Sequence, residues 1–486
     1  MTAQAKGEGV YNVVVIGAGT AGLVTAAGTA GLGGRVALIE RNKMGGDCLN
    51  FGCVPSKALI SSARLIDKIR RAEDWGLRKA EPQFDFNEVF ERMRARRAQI
   101  APNDSQERFE SLGVDVFRGD AKFDSPHTIK IDNRILRAKN FVIATGTRAA
   151  IPKIDGLDSV SYFTNETIFD ELNSKPESLI VLGGRPIGCE LGQTFNRLGV
   201  RTTIVQRGPH LLPREDVDVS EFLEKRFEAE GISVMTNAEA KSIRHNNGEI
   251  NMSILHKDSG ETQISASTLL ICSGRRPNAE NLGLDAIGLK TNDHGVVVND
   301  YLQTSQPHIY AAGDVAGPFL FTHMADVQTR VVVRNILMPF QFLRQKIDYS
   351  VVPWCTYVDP EIATVGLNEA AAKNRNLDYD LIRQEIKDVD RAVVESEESG
   401  FVKVLVAKGT DKILGATLVC ESAGDLMHEF VLAMKCGIGL SKISATTHAY
   451  PTFAELARKI GDKYNKTRLT PTARKIFAWL YCRGLR

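Results

Sequence analysis

Two cysteines, Cys48 and Cys53, lie five positions apart in a glycine-rich stretch, GGDCLNFGCVPSK at residues 45–57, which is typical of a turn leading into a helix. A pair at this spacing could form a disulfide bridge, ligate a metal ion or fill space. No export signal precedes the first strand-like segment, so we do not expect the eight cysteines to form a secreted disulfide framework. In a reducing cytoplasm, a close pair indicates redox chemistry or a metal site.

The composition limits the classes of fold and partner. At 486 residues the chain is too long for one hydrophobic core, and we expect about three domains. The net charge of +2 gives no reason to expect nucleic-acid binding, and the basic run at 92–97 is interpreted as a solvated helix face. No apolar run approaches the ~20 residues that span a bilayer. We therefore predict a cytoplasmic protein without a transmembrane segment.

The elements that would position the cysteines are predicted by a repeated pattern. A strand-like run at 11–16 leads into a glycine turn and a helix of small residues, and the next strand ends on Glu40. This is the dinucleotide-binding βαβ pattern. Gly17 would make the tight turn, Gly19 would let the backbone approach a pyrophosphate, and Gly22 would let helix and strand pack. Glu40, 18 residues after Gly22, would accept hydrogen bonds from ribose hydroxyls.

A second copy of the pattern follows the strand-like run at 178–182, with glycines at Gly183 and Gly188. The position of the ribose acid, again 18 residues after the third motif position, holds Gln206, and Arg207 follows it. A cation without the acid suits the 2′-phosphate of NADP better than the free hydroxyl of NAD. Two such units predict two dinucleotides, one bound permanently and one exchanged. An exposed Gln-Arg pair without this role remains an open alternative.

Arg185 stands where the second unit should have its middle glycine. Its Cβ would crowd the approach of a pyrophosphate, whereas its guanidinium could pair with a phosphate. The sequence leaves both interpretations open, together with a third in which the second site binds nicotinamide poorly or not at all.

Five further motifs, found in order, make the chain resemble the FAD-dependent pyridine nucleotide–disulfide oxidoreductases over about residues 8–465. That family includes dihydrolipoamide dehydrogenase, glutathione reductase and mercuric reductase. The motifs are at 48–57, 144–146, 274–278, 310–314 and 448–452. The resemblance implies FAD in the first unit and NADP or NAD in the second. It also implies a homodimer in which each active site is completed by the partner chain.

The fold class implied by the resemblance is α/β, with two Rossmann-like dinucleotide-binding domains plus a C-terminal α+β dimerisation domain. We place the domain boundaries by the positions of the motifs. The predicted segments are the first part of the FAD-binding domain at 1–155, the NAD(P)-binding domain at 156–276, the second part of the FAD-binding domain at 277–350, the dimerisation domain at 351–465 and a basic tail at 466–486.

The resemblance also implies residues that shape the cofactor sites. Thr145, Gly146 and Gly274 follow apolar strands and are predicted as points where the chain crosses between domains. Asp314 occupies the position of the family's acid for the ribityl chain of the flavin. Ala325 lies in the first turn of a predicted helix whose N-terminus would point at the flavin pyrimidine, where the helix dipole would stabilise the charge of reduced flavin.

Roles for the opening pair of cysteines follow from the same resemblance. Cys53 would lie nearer the flavin and form the thiolate charge-transfer species, and Cys48 would be the exposed thiol that attacks the substrate. Lys57 matches the lysine near flavin N5, Glu190 matches the acid that pairs with it, and Gly46 is a predicted cofactor contact. The metal interpretation becomes the weaker one, since a zinc site needs four ligands and the other six cysteines are scattered singly.

The motif at 448–452 bears on the electron acceptor. In the disulfide-reducing members, the acid–base partner of the dithiol is a histidine just before Pro-Thr, held by a glutamate five residues later. Here Tyr450 takes that place and Glu455 is retained. A phenol titrates near ~10 and is a poor general base at neutral pH. The tyrosine resembles mercuric reductase, where the acceptor is a soft metal ion; His448 could deputise as the base or be a packed structural histidine.

We therefore predict an oxidoreductase that passes electrons from NAD(P)H through FAD and Cys48–Cys53 to a small-molecule disulfide or a metal ion. A dihydrolipoamide dehydrogenase is one alternative, and a flavoprotein redox sensor with an impaired nicotinamide site is another. The mercury-delivery apparatus of mercuric reductases is incomplete, because Cys482 is a single cysteine near the C-terminus where they have two adjacent ones.

Two further features lie outside the shared pattern. Asp47 precedes Cys48 where many relatives carry threonine; we predict that it caps a helix, with a charge effect on the neighbouring thiol as the alternative. The basic tail with its apolar run at 476–480 is predicted to form a short amphipathic helix that docks on its own dimer in preference to a membrane surface. Five of the six remaining cysteines are predicted to be buried.

Overall fold

The computed structural model describes residues 9–246, 248–257 and 260–483. Within that part of the chain, contacts divide the protein into two compact units. The first unit comprises the described residues up to Ala63 together with Gln83–Pro209 and Ile232–Asp348. The second comprises Arg64–Pro82, His210–Gly231 and the described residues from Tyr349 onward.

The first unit contains a sheet of seven strands among the described residues. Its central parallel strands are rich in apolar residues, and every residue of Val36–Glu40 is buried, as expected for a strand covered on both faces, whereas Asp115–Arg118 at the edge ends on an exposed residue. The long strand Arg134–Ile143 pairs in parallel with Val10–Ile16 and Ile309–Ala311. Its first residues also pair antiparallel with the preceding strand, Thr128–Ile131. The spatial order is Asp115–Arg118, Val36–Glu40, Val10–Ile16, Arg134–Ile143, Thr128–Ile131 and Ala121–Ser125, with Ile309–Ala311 beside Arg134–Ile143.

The second sheet of the first unit repeats the parallel arrangement. Its four parallel strands lie in the order Ser233–Met235, Arg201–Val205, Ser178–Leu182 and Thr268–Ile271. An antiparallel sheet formed by Ala238–Asn246, Glu249–His256 and Gly260–Ala266 accompanies it, and Thr147–Ala149 pairs with Arg275–Pro277, as does Thr291–Asn292 with Gly295–Val296. The helices that lie wholly in this unit are Thr20–Gly31, Gly46–Asn50, Phe86–Ile100, Gln106–Ser111, Ile168–Glu171, Pro186–Arg197 and Thr322–Leu337.

In each of the two parallel sheets, the glycine turn contacts the backbone of the helix that follows it. Gly17 has φ +102° and Gly183 has φ +121°, so both turns use a conformation that favours glycine. A Cβ at Gly22 would lie 1.7 Å from the Gly17 carbonyl oxygen, and one at Gly188 would lie 1.9 Å from the Gly183 oxygen. The same helix–turn packing therefore requires glycine at the third motif position of both βαβ units.

The second unit is built on an antiparallel sheet of five strands in the order Pro353–Thr356, Glu361–Gly366, Ile413–Cys420, Phe401–Ala407 and Tyr379–Glu385. Its helices are Val217–Ala229, Glu369–Asn374, Asp390–Val394, Ala423–Leu426, His428–Lys435, Leu440–Ala445, Glu455–Thr467 and Pro471–Cys482. A remaining helix, Cys53–Arg70, contributes residues to both units. The core includes the apolar faces of the sheet and of Glu455–Thr467.

One lysine lies at the centre of a carboxylate cluster in the second unit. Lys403 is fully buried, and its Nζ lies 2.8 Å from Asp216, 2.7 Å from Asp218 and 3.1 Å from Glu369. Burial alone would lower the pKa of Lys403, but hydrogen bonds to Asp216 and Asp218 raise it. The ammonium therefore stays charged at neutral pH and occupies the space on which these carboxylates converge.

The fold agrees with the predicted class, an α/β protein with two Rossmann-like units and a C-terminal α+β region. The four domain boundaries stay predictions, and the segment His210–Gly231, inside the predicted nucleotide domain at 156–276, clusters with the second unit. Among the described helices, none combines the length and the apolar character that crossing a bilayer requires.

Candidate active site

The two cysteines lie on consecutive helices of the first unit. Cys48 is inside the short helix Gly46–Asn50, and Cys53 is the first residue of Cys53–Arg70. Both are free thiols, with Cys53 exposed and Cys48 half-buried. In the chain by itself Cys48 is thus the more covered of the two; the expectation that Cys48 is the thiol exposed to substrate concerns the flavin-loaded dimer and stays a prediction.

The electrostatic environment distinguishes the two sulfurs. The hydrogen bond from Cys48 lowers the pKa of Cys53 to about 6, opposed by burial and assisted by Thr322 and the charge of Lys57. The Sγ of Cys53 lies 3.4 Å from the Thr322 Oγ1. The same hydrogen bond with Cys53, together with burial, raises the pKa of Cys48. The reduced pair therefore favours a thiolate on Cys53 and a thiol on Cys48.

Lys57 and Glu190 meet as predicted from the sequence pattern. The Lys57 Nζ lies 2.8 Å from the Glu190 Oε2, and Glu190 is 5% exposed. Glu190 lies on the helix Pro186–Arg197 of the second βαβ unit. The buried carboxylate thus holds an ammonium one helical turn after Cys53.

The cysteine helix and the first glycine turn touch through bare backbone. Gly46 has φ +57°, and a Cβ on it would lie 2.5 Å from the Cα of Gly19. The amide of Gly45 also donates a hydrogen bond to the Ala18 carbonyl at 2.9 Å. The short helix therefore sits directly against the turn that the sequence predicts to receive a pyrophosphate.

The first glycine turn has the features that FAD needs. Gly19 caps the helix Thr20–Gly31 without a side chain, and the one atom within 4 Å of a Cβ there is the Gly46 Cα at 3.8 Å. The amides of the first helical turn are thus open to an anion. Glu40 is buried and accepts hydrogen bonds from the amides of Ala18 and Asn42, both at 2.6 Å. These residues fit a dinucleotide with an unmodified ribose.

A chain of polar contacts runs from the cysteine helix to Asp314. The Asp47 Oδ1 lies 3.1 Å from Arg275, whose Nε donates to the Thr147 Oγ1 at 2.7 Å. Thr147 in turn donates to the Asp314 Oδ2 at 3.0 Å. Burial raises the pKa of Asp314, opposed by the charge of Arg275. Arg275 is thus a half-buried cation whose charge acts on two acids.

The predicted helix cap at Asp47 is wrong. The N-cap of Gly46–Asn50 is Gly45, and no side chain accepts a hydrogen bond there. Asp47 instead pairs with Arg275 and accepts a hydrogen bond from the Asn165 amide at 3.2 Å. Its charge also contributes, as the smallest named cause, to the raised pKa of Cys48.

The predicted crossover residues lie beside one another. Thr145 donates to the carbonyl of Asn278 at 2.7 Å, and the Asn278 amide group donates back to Thr145 at 3.0 Å. The Asn278 backbone amide donates to the Gly146 carbonyl at 2.9 Å, and Gly274 has φ +154°. Ala325 lies buried in the first turn of Thr322–Leu337, the helix that brings Thr322 to Cys53.

In the second βαβ unit, Arg185 caps the helix Pro186–Arg197 with φ −89° and ψ 176°, close to the values at Gly19. This is extended backbone that any residue adopts, and the side chain is exposed. Gln206 accepts a hydrogen bond from the Gly184 amide at 3.0 Å, and Arg207 is exposed. The unit thus presents two cations and no acid at its glycine turn.

Tyr450, His448 and Glu455 lie in the second unit but do not form one hydrogen-bonded group. Tyr450 is 70% exposed and donates to the Asp390 carboxylate at 3.0 Å, which with the charge of Asp390 raises the pKa of the phenol. The His448 Nε2 lies 3.0 Å from Glu429. Glu455 pairs with Arg458 at 2.7 Å and does not hold either candidate base.

Several residues that contact the predicted site residues were missed from the sequence. Arg275 lies inside the motif at 274–278 without an assigned role, Thr322 opens the helix predicted around Ala325, and Glu429 and Asp390 had no signal in the pattern. For Arg275 a signal existed, since an arginine four residues after an apolar strand needs a carboxylate if it is buried. Among the single cysteines, Cys189, Cys272 and Cys420 are buried, Cys355 is half-buried, and Cys436 and Cys482 are exposed. The prediction of five buried cysteines is therefore wrong.

Comparisons with known proteins agree with this geometry. A family model described as pyridine nucleotide-disulphide oxidoreductase matches residues 11–334, and the model of its dimerisation domain matches 352–459. A mercuric reductase of Staphylococcus aureus is 33% identical over 92% of this chain and 81% of its own length. A dihydrolipoyl dehydrogenase of Geobacillus stearothermophilus is 31% identical over 92% and 95%. The HOCl-induced flavoprotein disulfide reductase RclA from Escherichia coli is similar in structure, with 26% identity and a TM-score of 0.83 over 94% of this chain and 99% of that chain.

Proposed function

Because the chain belongs to the pyridine nucleotide–disulphide oxidoreductase family, we propose that it passes electrons from NADPH through FAD and a Cys48–Cys53 disulfide to a soft metal ion or a small disulfide. Family membership supports an FAD-binding oxidoreductase that uses NAD(P)H, and the match to the dimerisation domain supports a homodimer. The observation that carries the finer proposal is the thiolate-favouring environment of Cys53 beside the first glycine turn.

The thiol chemistry follows from the two pKa directions. FAD, when bound, would accept a hydride from the nicotinamide and deliver two electrons to the disulfide. The S–S bond takes up two electrons and one proton; the proton goes to Cys48, and Cys53 remains a thiolate. Lys57 supports that negative charge, and Thr322 supports it by hydrogen bonding. The chain's own residues thus hold the single proton on one defined sulfur.

The identity of the acceptor depends on the base that removes the proton of Cys48. Exchange with an organic disulfide needs that proton removed. Tyr450 is a poor base because Asp390 raises the pKa of its phenol, which therefore stays protonated at neutral pH. A soft metal ion binds both sulfurs and displaces the proton to water without a dedicated base. This favours a metal acceptor, in line with the similarity to proteins named mercuric reductase, although Cys482 is a single cysteine.

For the nicotinamide, the glycine turn of the second βαβ unit favours NADPH. Gln206 uses its side chain on the Gly184 amide and offers no carboxylate to a ribose hydroxyl, while Arg207 supplies an exposed cation for a 2′-phosphate. Steady-state rates with NADPH and NADH at equal concentration test this. A clear preference for NADH contradicts the assignment of Arg207.

Anaerobic titration of the FAD-loaded homodimer tests the central proposal. NADPH should bleach the flavin and then produce a long-wavelength charge-transfer band, and reduction of mercuric ion should be faster than that of lipoamide. Cys53→Ser should keep its flavin but lose both the band and acceptor reduction. Absence of bleaching, or turnover by Cys53→Ser at the wild-type rate, overturns the proposal. Rapid lipoamide turnover by the unmodified protein assigns it as a dihydrolipoamide dehydrogenase instead.

A further inference from the structure

The last described helix, Pro471–Cys482, differs from its neighbour in packing. The preceding helix, Glu455–Thr467, buries an apolar stripe against the second unit's core. Pro471–Cys482 starts at a defined cap, where Thr470 accepts a hydrogen bond from the Ala473 amide at 3.2 Å, but none of its residues is buried. Within the described residues, a helix with a defined start therefore leaves most of its surface uncovered by its own subunit.

This helix is strongly amphipathic. At 100° per residue its large apolar side chains fall on one arc, bordered by two aromatic residues with polar atoms. The arc consists of Ala473, Ile476, Phe477 and Leu480, with Trp479 and Tyr481 at its edges. Trp479 is 58% exposed and Tyr481 is 85% exposed. Arg474 and Lys475 lie on the opposite face, so an apolar face and a basic face share one short helix.

The charge of the segment has one sign. From Lys463 to the last residue the sequence contains seven basic residues and no aspartate or glutamate. The basic residues are Lys463, Lys466, Arg468, Arg474, Lys475, Arg483 and Arg486. Such a segment complements a surface that is both apolar and anionic.

We propose that Pro471–Cys482 binds the surface of an anionic phospholipid bilayer and attaches this reductase to it. A lipid surface offers hydrocarbon to the Ile476–Leu480 side, an interface to Trp479 and Tyr481, and negative charge to the basic residues. A groove on a second copy of the chain, which the sequence predicts to cover this helix, would satisfy the apolar face but would gain nothing from the single sign of charge of the segment, and we therefore replace that expectation. The inference is independent of the electron acceptor.

The test uses flotation of the full-length, FAD-loaded protein with vesicles. Binding to vesicles of phosphatidylcholine and phosphatidylglycerol at 7:3 should exceed binding to pure phosphatidylcholine at least about tenfold, and should weaken on raising NaCl from about 0.1 to 0.5 M. Arg474→Gln with Lys475→Gln should weaken binding about thirtyfold. The matched pair Lys373→Gln with Lys387→Gln, which neutralises exposed lysines elsewhere in the second unit, should leave it unchanged.

Two further variants decide between lipid and a second copy. Leu480→Glu places a charge in the apolar arc and should abolish vesicle binding without changing the oligomeric state or reduction of the flavin by NADPH. Quenching of tryptophan fluorescence by brominated lipid should disappear in Trp479→Phe. If wild type does not bind anionic vesicles, if Leu480→Glu binds them normally, or if Leu480→Glu dissociates the dimer, the proposal is wrong; the last result assigns the helix to the dimer contact.

Discussion

At the scale of single residues, Cys53 shows how neighbours set the state of one sulfur. Cys48 donates a hydrogen bond to it, Thr322 lies within 3.4 Å, and Lys57 supplies a positive charge. These contacts outweigh the partial loss of solvent around the sulfur of this surface-exposed residue, which disfavours a thiolate. The result is a nucleophile that is charged at neutral pH before any substrate arrives.

The first prediction concerns the titration of Cys53 in the reduced protein. Its pKa of about 6 lies below the usual value of a thiol, so alkylation of this residue by iodoacetamide should rise with pH to a midpoint near 6. Cys48→Ala should raise the midpoint most, because the Cys48 hydrogen bond is the largest cause, and Lys57→Met should raise it less. Mass spectrometry of the alkylated peptide gives the rate at each pH. A wild-type midpoint above 8 would contradict the assigned environment.

The second prediction concerns Tyr450. A histidine at this position titrates near neutrality, so Tyr450→His should increase turnover with lipoamide, by up to about a hundredfold if it reaches the dithiol. Tyr450→Phe is the control, since it removes the hydroxyl and its bond to Asp390 without adding a base. A gain of the same size in Tyr450→Phe would show that removal of the tyrosine hydroxyl, and not proton transfer by the histidine, raises the rate.

The sequence could predict the residues of the site better than their partners. Cys48, Cys53, Lys57 and Glu190 were identified from motif positions, and the structure brings Lys57 to Glu190. The pairing of Asp47 with Arg275 could not be predicted, because these residues are more than two hundred positions apart and neither type is restricted to one partner. Local rules suggested a helix cap for Asp47, and a tertiary contact took precedence.

At the scale of elements, the two βαβ units show how far a duplicated pattern constrains the chain. Both need glycine at the turn and at the first helical contact, whereas the middle position adopts extended backbone in both. Arg185 is therefore compatible with the fold of its unit. Compared with glycine, Arg185 reduces the free space before the N-terminus of Pro186–Arg197 and adds a positive charge there.

The third prediction follows for Arg185→Gly. If the side chain obstructs the pyrophosphate, the variant should lower the KM for NADPH, whereas loss of a phosphate contact should raise it; we expect the decrease, because glycine serves close backbone approach. Steady-state kinetics with the acceptor held saturating measures the change. An increase in KM would assign Arg185 as a phosphate ligand.

The fourth prediction concerns the contact between the short cysteine helix and the first glycine turn. Gly46→Ala would place a Cβ 2.5 Å from the Gly19 Cα at a positive φ, which we expect to cost about 2–4 kcal/mol and to reduce flavin content. Gly31→Ala is the control, since a Cβ there meets nothing within 4 Å and φ is not positive. Flavin absorbance per protein gives the readout, and full flavin content in Gly46→Ala would contradict the prediction.

At the scale of the whole molecule, stability in the second unit depends on a buried charge. Lys403 holds carboxylates from two separate parts of the chain, at 216–218 and at 369. Such an arrangement fixes how these segments meet, because each acid loses its partner if the packing changes.

The fifth prediction tests that arrangement. Lys403→Met leaves the buried Asp216 and the half-buried Asp218 and Glu369 without their cation, and should reduce the free energy of unfolding of the second unit by about 3–5 kcal/mol. Lys408→Met is the control, because Lys408 pairs with Asp380 on the surface, where solvent screens the pair, and its loss should change the stability far less. Urea unfolding followed by circular dichroism measures both. Equal stabilities of the two variants would show that the cluster contributes little.

The fold class was predictable because glycine turns and apolar strands are local signals that occur twice. The assignment of His210–Gly231 to the second unit was not, since it depends on contacts such as Lys403 with Asp216 that lie far apart in sequence. Nor could the exposure of Cys436 be inferred, because apolar neighbours in sequence do not determine which side of a helix end is covered.

The close approach of Gly46 to Gly19 has a consequence for directed evolution. Two screens of a random library, one for yellow colonies and one for NAD(P)H-dependent reductase activity, are expected to return different sets of required residues. Colour should demand glycine at 46 while accepting serine at 48 or 53. Activity by the proposed route through Cys48 and Cys53 should demand glycine at 46 and both cysteines as well. Gly46, which has no side-chain functional group, should thus be as necessary as the two cysteines in the activity screen and more necessary than they are in the colour screen.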